Sequence, residues 1–377
     1  MSILITVGIV AKNEEKYIEE TLRGIINQSF RKYDVFSNRK KLSNLRYESF
    51  LGPENGVFEG SQKSKIFEDI DTSLIEIIVV DGNSSDRTRE IAENILSTSN
   101  VNYKVLNEKD FGFYGLCFSR NLVIDNSSET TKYIAYTDAD CIVDKNWLKI
   151  LYQHIEKSGD DTAGVGGPRL VAPTKDKKEL VINNFLTSNI ASGGNPAFSK
   201  RNVAYLDSIP NYNSIYKKDI ISRFRYDDSL IISDDNELNL RLKKAGYNFI
   251  YAGDAEVYHR ETNSIVEFSK NMRNYGINIT NTIKKHRLFK IKPFISLIFT
   301  LYLIFLIPLY LTVGWIILIP LILYFLFAVM IFAEIIYKTK TIYSLIIFVL
   351  LPVQHISYAY GMIYNFLFVR PVHRNSN

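Results

Sequence analysis

The chain has 377 residues, a formal net charge of +5 and 46% hydrophobic residues. That length exceeds one typical domain of about 100–200 residues, and two cysteines, Cys117 and Cys141, exclude a disulfide scaffold and offer no metal-ligand spacing. The excess positive charge gathers beside C-terminal apolar stretches, where it suits anionic lipid and not nucleic acid.

In chain order, Ile3-Leu4-Ile5-Thr6-Val7-Gly8-Ile9-Val10 reads as a buried strand. Asn13 is placed to cap the following helix, with Glu14 and Glu15 at the positive end of its dipole. Tyr17, Ile18, Leu22, Ile25 and Ile26 form that helix's apolar stripe. Residues 31–74 then make a polar insertion far longer than the usual connection of about 4–6 residues. It is either a passive surface loop or an arm toward the membrane or a partner. An apolar run at 75–80 ends in Asp81-Gly82-Asn83-Ser84-Ser85-Asp86, which reads as strand, polar turn and a helix over 87–96. Further strands are expected at 103–106, 134–137 and 164–170. The alternation predicts an α/β fold with a mostly parallel sheet flanked by helices, and ligands in such sheets bind at the carboxyl ends of the strands.

The triplet Asp138-Ala139-Asp140 closes one of these strands. Side chains two apart on a strand share a side, so the two carboxylates can present hard oxygen ligands to Mg²⁺ or Mn²⁺ against a diphosphate. A solvated turn is the plain alternative. Asp81 is expected at the same rim, and Cys141, directly after the triplet, is expected only to pack.

The C-terminal part is apolar. No charged residue occurs from Pro293 to Ala333, a stretch of roughly 40 positions that suits a hairpin of two spans of about 20 each, hinged at Gly314. A third stretch, 342–369, is interrupted by Pro352, Gln354 and His355. Lys284, Lys285, His286, Arg287, Lys290 and Lys292 crowd the entry to the first span, and Lys338 and Lys340 follow the second. The basic flanks predict a multi-pass protein of the cell membrane with its N-terminal part cytoplasmic. Arg370 and Arg374 disfavour a crossing by the third stretch, leaving a re-entrant or surface-lying course open. The sequence opens on no basic-then-apolar leader, so the first ~290 residues are expected to stay where they are made. Over 263–292, Phe268, Met272, Tyr275, Ile279 and Ile283 recur at helical spacing, marking an amphipathic juxtamembrane helix that lies on the bilayer or packs on the preceding domain.

Taken together, Val10-Ala11-Lys12-Asn13-Glu14-Glu15, Val80-Asp81-Gly82-Asn83-Ser84-Ser85-Asp86, Ser119-Arg120-Asn121, Asp138-Ala139-Asp140 and Ser233-Asp234-Asp235-Asn236-Glu237-Leu238 resemble, in order, the family 2 inverting glycosyltransferases of GT-A fold. The resemblance spans about Leu4 to His259 apart from the insertion. It implies a catalytic domain over 1–262 and a membrane region over 293–377 with segments 294–313, 315–336 and 342–369. Leu351-Pro352-Val353-Gln354-His355, Tyr358 and Gly361 look like the last membrane segment of enzymes that build surface polysaccharides on lipid carriers.

Carried over, Asn13, Glu14 and Asp81 would line the nucleotide pocket, Arg120 would neutralise donor phosphate or steady the acids, and Asp138, Asp140 and His259 would hold Mg²⁺ or Mn²⁺, with Asp138 also facing the donor. Asp235 would be the general base, ionised in the first turn of a helix over 234–245 capped by Ser233, with Asp234 supporting or replacing it. Arg241 and Arg273 are candidates for acceptor or phosphate contacts, and residues 192–196 and 210–214 for the acceptor side. The implied partners are a UDP- or GDP-sugar, a lipid-linked acceptor, membrane lipids and a second copy of the chain.

A sugar hydroxyl must lose a proton during attack, whereas a polyprenyl phosphate is already anionic. The paired Asp234-Asp235 therefore favours a hydroxyl of a lipid-linked glycan over synthesis of a polyprenyl-phosphate monosaccharide. A membrane sugar-nucleotide-binding scaffold is the non-catalytic alternative. Processive polymerisation is not expected, since no Gln-x-x-Arg-Trp occurs. A nucleotidyltransferase would need a Gly-rich basic loop where Ala11-Lys12-Asn13-Glu14 stands.

Overall fold

The computed structural model describes residues 3–28, 72–112, 115–192, 196–198, 204–230, 234–287 and 291–369. The insertion lies outside them except for a single turn at Thr72–Leu74, as do Gly193, Gly194, Asn195 and the expected helix cap Ser233.

The apolar N-terminal run forms β1 (Ile5–Ala11), followed by α1 (Ile18–Ile26), β2 (Ile75–Asp81), α2 (Thr88–Ser97), β3 (Asn102–Asn107), α3 (Leu116–Asn126) and β4 (Tyr133–Asp138). β1 lies between β2 and β4, parallel to both, and is almost wholly buried, which is why it reads as a continuous apolar run. The chain continues through β5 (Cys141–Val143), α4 (Trp147–Glu156), β6 (Thr162–Gly166), β7 (Arg169–Val171), α5 (Lys177–Leu186), β8 (Ala204–Leu206), β9 (Ser214–Lys217), α6 (Lys218–Phe224), α7 (Asp234–Lys244), β10 (Asn248–Tyr251) and β11 (Val257–His259). An eight-stranded sheet has the order β3-β2-β1-β4-β9-β6-β10-β8, and a three-stranded sheet the order β5-β11-β7. The large sheet is mixed, because β9 runs against β4 and β6 and β8 runs against β10. One apolar layer packs α1, α2 and α4 on one face, and a second packs α3, α6 and α7 on the other.

Two local expectations fail for identifiable reasons. The strand expected over 164–170 is split between the two sheets as β6 and β7. At the break a Cβ on Gly167 would stand 2.3 Å from the Ala255 carbonyl oxygen, and Pro168 has no N–H to donate to a ladder. Asn213 secures this junction: it accepts from Trp147 Nε1 at 2.8 Å and donates to the carbonyls of Pro168 at 3.0 Å and Ala255 at 2.7 Å. Asn13 does not cap α1, which begins at Ile18 with Tyr17 before it. Asn13 instead adopts a left-handed φ of 58°, and its Oδ1 accepts from the Ser85 N–H at 2.9 Å.

The C-terminal part begins with α8 (Ile265–His286), then α9 (Ile291–Ile304), α10 (Leu306–Val313), α11 (Ile319–Thr339) and α12 (Ile347–Phe368). With their preceding turns, Trp315–Thr339 and Ile342–Phe368 are each long and apolar enough to cross a membrane. The first apolar stretch is not one straight helix: Pro293–Ile304 and Leu306–Val313 meet at 66°. A third apolar layer joins α5 of the N-terminal domain to α8, α11 and α12. Glu334 of α11 adds polar contacts, accepting from Ser188 Oγ at 2.5 Å and from the Asn189 and Ile190 N–H groups.

Candidate active site

The parallel strands place their carboxyl ends side by side. Ala11 pairs with Asp81 on one flank, and Val10 pairs with Asp138 on the other. Asp81 is buried, and its carboxylate accepts from the Ser84 N–H at 3.2 Å and Asn107 Nδ2 at 3.4 Å. The loops after β1 and β2 are tied together. The Asn13 N–H donates to Ser84 Oγ at 2.9 Å, the Glu14 N–H to Thr88 Oγ1 at 2.7 Å, and the Arg87 N–H to Glu15 at 3.1 Å. Asn13 thereby shapes the wall, while Glu14 faces the other acids.

After Asp138 the chain turns out of the large sheet and enters the small one at Cys141. Thr21 Oγ1 of α1 is shared between the carbonyls of Ala139 at 2.8 Å and Cys141 at 2.7 Å, which fixes the acidic turn. The small sheet brings His259 opposite Cys141. Its imidazole thus lies between the two carboxylates, with Nε2 3.7 Å from Asp138 and Nδ1 3.6 Å from Asp140. Nδ1 also lies 2.7 Å from the Arg260 carbonyl. A proton there would donate to that oxygen and leave the Nε2 lone pair free for a metal ion, since the backbone bond fixes the tautomer of a metal-binding histidine.

The electrostatics are those of crowded acids. Burial and then Asp140 and Asp138 push the Glu14 carboxyl up to about 8. Burial, with Asp138 and Glu261 beside it, raises Asp140 above the usual carboxylate range. Asp138 goes the other way: burial would raise it, but His259 and Arg120 hold it down. Arg120, 2% exposed, donates to Asp138 at 3.1 Å and stacks its guanidinium 5.0 Å from the Tyr136 ring centre. Burial alone would depress His259, yet Asp140 and Asp138 lift it to about 9. Two carboxylates and an imidazole in this excess of negative charge are a donor set that fits Mg²⁺ or Mn²⁺. Asp140, Cys141 and His259 also bring ligand atoms within 4.8 Å of one another. Cys141, however, belongs to the apolar core, and burial and then Asp140 push its thiol well up, so it packs protonated.

Asp235 stands in the first turn of α7, while the side chain of Asp234 lies outside the described residues. Asp235 acts electrostatically on Tyr212 and Tyr275. Tyr212 meets the His259 ring edge-on at 5.4 Å. Tyr275, from α8, leaves half of its surface exposed. Tyr212 thus borders the acidic rim at His259.

The two other arginines named from sequence have partners of their own. Arg241 is bound to Glu237 at 2.8 Å and to the Arg225 carbonyl at 2.6 Å. Arg273 lies against α12, its guanidinium 5.6 Å and 5.0 Å from the ring centres of Tyr360 and Tyr364. Sequence reasoning missed the buried Arg169–Glu261 ion pair beneath His259.

Residues 64–209 match the family model described as Glycosyl transferase family 2. Over this stretch the chain is similar to glycosyltransferase family 2. It is 28% identical over 183 residues, 48% of its own length and 55% of the relative's, to "Glycosyltransferase AglE" of Haloferax volcanii. It is 26% identical over 209 residues, 53% of its length and 62% of the relative's, to "Dolichyl N-acetyl-alpha-D-glucosaminyl phosphate 3-beta-D-2,3-diacetamido-2,3-dideoxy-beta-D-glucuronosyltransferase" of Methanococcus voltae. The matched part thus spans little more than half of these two relatives. Among solved structures, "Mannosyltransferase PcManGT from Pyrobaculum calidifontis in complex with GDP-Man and Mn2+" superposes with a TM-score of 0.53 at 12% identity, covering 98% of this chain and 89% of that one. The fold of the N-terminal part is GT-A-like, a mixed central sheet flanked by helices. The family match includes Asp81, Arg120, Asp138 and Asp140 and ends before Asp235 and His259.

Proposed function

We propose that this protein is a membrane-anchored, cation-dependent, inverting glycosyltransferase that moves a sugar from a UDP- or GDP-sugar to a hydroxyl of a lipid-linked glycan. The observation that carries the reading is the convergence of Asp138, Asp140 and His259 within ion-pair distance at the sheet rim. Arg120 stands at one side and Glu14 at the other, and the buried Asp81 one strand away is the polar floor of a nucleotide pocket. The name of the Methanococcus voltae relative, which describes transfer to a dolichyl-linked sugar phosphate, supports the acceptor class.

In this mechanism Asp81 and Glu14 accept from the base and ribose of the donor. Asp138, Asp140 and His259 Nε2 would hold the divalent ion, which supplies Lewis-acid neutralisation of the leaving diphosphate. Arg120 fixes the Asp138 carboxylate and keeps it ionised. Asp235 takes the proton from the acceptor hydroxyl as that oxygen attacks, and one displacement inverts the anomeric centre. Trp315–Thr339 and Ile342–Phe368 anchor the domain at the membrane, with the bent 293–313 pair as a broken span or a re-entrant element. The packing of Glu334 and Lys338 beside Ser188 supports a cytoplasmic catalytic domain, because the basic end of α11 then lies on the domain's side.

The test uses purified full-length protein, a panel of UDP- and GDP-sugars, and lipid acceptors extracted from membranes. Asp235→Asn should abolish glycolipid formation while Mn²⁺-dependent binding of the matching nucleotide persists. Undiminished transfer by that variant would refute the base assignment and point to a phosphate acceptor.

A further inference from the structure

The helix that carries Asp235 is strapped to the membrane-proximal helices through a buried carboxylate. Glu237, two residues after Asp235, is 0% exposed. Two residues on an α-helix are about 200° apart, so Glu237 points away from the side that carries Asp235. Its carboxylate accepts from Arg241 at 2.8 Å, from Lys285 Nζ at 2.6 Å and from His286 Nε2 at 2.9 Å. Lys285 also bonds Asp227, in the loop that leads toward α7. Burial would raise both carboxyls, yet Arg241 and Lys285 hold Glu237 down, and Lys285 and Ser229 hold Asp227 down, so the knot is charged on both sides.

Lys285 and His286 form the last turn of α8, directly before the first apolar segment. α8 is itself locked onto α12. Ser269 and Ser357 share a hydrogen bond of 2.8 Å, Asn365 Nδ2 donates to Asn281 at 2.7 Å, and Lys284 Nζ donates to the Asn365 and Val369 carbonyls. Between them the backbones touch at Gly276 and Gly361, where a Cβ on Gly276 would meet the Tyr358 carbonyl oxygen at 2.1 Å. α7 therefore cannot shift against the apolar helices without breaking a buried charge network or moving a close-packed helix pair.

We infer that Lys285, with His286, is a positioning residue for catalysis: through Glu237 it sets α7, and so the candidate base, relative to the membrane-anchored acceptor. The inference rests on the reading of Asp235 as base. It assigns a new role to the juxtamembrane cations, which face a carboxylate of the catalytic domain and not only lipid.

Full-length Lys285→Met, Lys285→Arg and Asp235→Asn are compared in proteoliposomes. Three readouts are taken: kcat and donor KM for transfer from UDP- and GDP-sugars to membrane-extracted lipids, Kd for Mn²⁺ with UDP or GDP, and hydrogen exchange of the α7 amides. Lys285→Met should lower kcat at least tenfold, leave donor KM and nucleotide Kd within twofold, and speed α7 exchange, and Lys285→Arg should restore most of the turnover. Wild-type kcat and unchanged α7 exchange in Lys285→Met would overturn the inference, as would a fall in nucleotide affinity as large as the fall in turnover. If Asp235→Asn retains transfer, the base reading fails by itself, and unaltered α7 exchange in Lys285→Met is then the separate result that defeats the coupling.

Discussion

The close backbone contact between α8 and α12 offers a quantitative test of how the membrane-proximal helices are joined. A Cβ added at Gly361 would stand 2.0 Å from the Arg273 carbonyl oxygen and 2.9 Å from its carbon. An ordinary C···O contact is about 3.3 Å or longer, so Gly361→Ala forces α8 and α12 apart by ~1.3 Å. Neither atom in the clash is a side-chain end that could swing away, because both belong to helix backbone. Overpacking of this kind costs about 1–3 kcal/mol, and separation would also stretch the Ser269–Ser357 and Asn281–Asn365 bonds, worth about 0.5–1.5 kcal/mol each. The expected total is roughly 2–6 kcal/mol, to be read as a fall in melting temperature of the detergent-solubilised full chain. Ser269→Ala should give only a fraction of that fall. A Gly361→Ala protein that melts with wild type would refute the close crossing and, with it, the rigid link between α8 and α12.

Glu14 predicts a pH signature for the metal-free protein. Its carboxyl is raised from 4.5 to about 8 in the fold, so the folded state binds the proton more tightly than the unfolded chain. That contribution to stability is complete below pH 4.5 and is lost as pH rises through 8. Glu14→Gln should flatten the decline seen by thermal melts between these limits, and an unchanged slope would contradict the crowding of acids. Arg120→Met leaves the partly buried Asp138 carboxylate without its guanidinium, at a cost below the roughly 3–5 kcal/mol of breaking a fully buried pair. It should lower both the melting temperature and Mn²⁺ affinity, and unimpaired Mn²⁺ binding by a folded variant would exclude Arg120 from the site.

Much of the N-terminal half is legible in the sequence because β1, β2 and β4 are buried and so read as apolar runs, with β2 and β4 ending in Asp81 and Asp138. Where a local pattern served two masters it misled. Asn13 has the residue type of a helix cap, yet its amide and left-handed φ join two loops, a tertiary demand that no window around it reveals. The apolar run at 164–170 conceals a change of sheet dictated by the Ala255 carbonyl, far along the chain. Arg241 and Arg273 have the chemistry of phosphate ligands, but their partners, Glu237 and the Tyr360 and Tyr364 rings, are set by helix packing. The Glu237–Lys285 and Arg169–Glu261 pairs were invisible for the same reason, since their members lie 48 and 92 residues apart.

Mn²⁺ binding in the presence of UDP or GDP, followed by electron paramagnetic resonance on wild type and Asp140→Ala, bears most directly on the acidic rim. Wild type should hold one Mn²⁺ per chain with affinity strengthened by the nucleotide, and Asp140→Ala should lose at least tenfold in affinity together with all sugar transfer. Equal Mn²⁺ affinity and equal turnover in the two proteins would contradict the account.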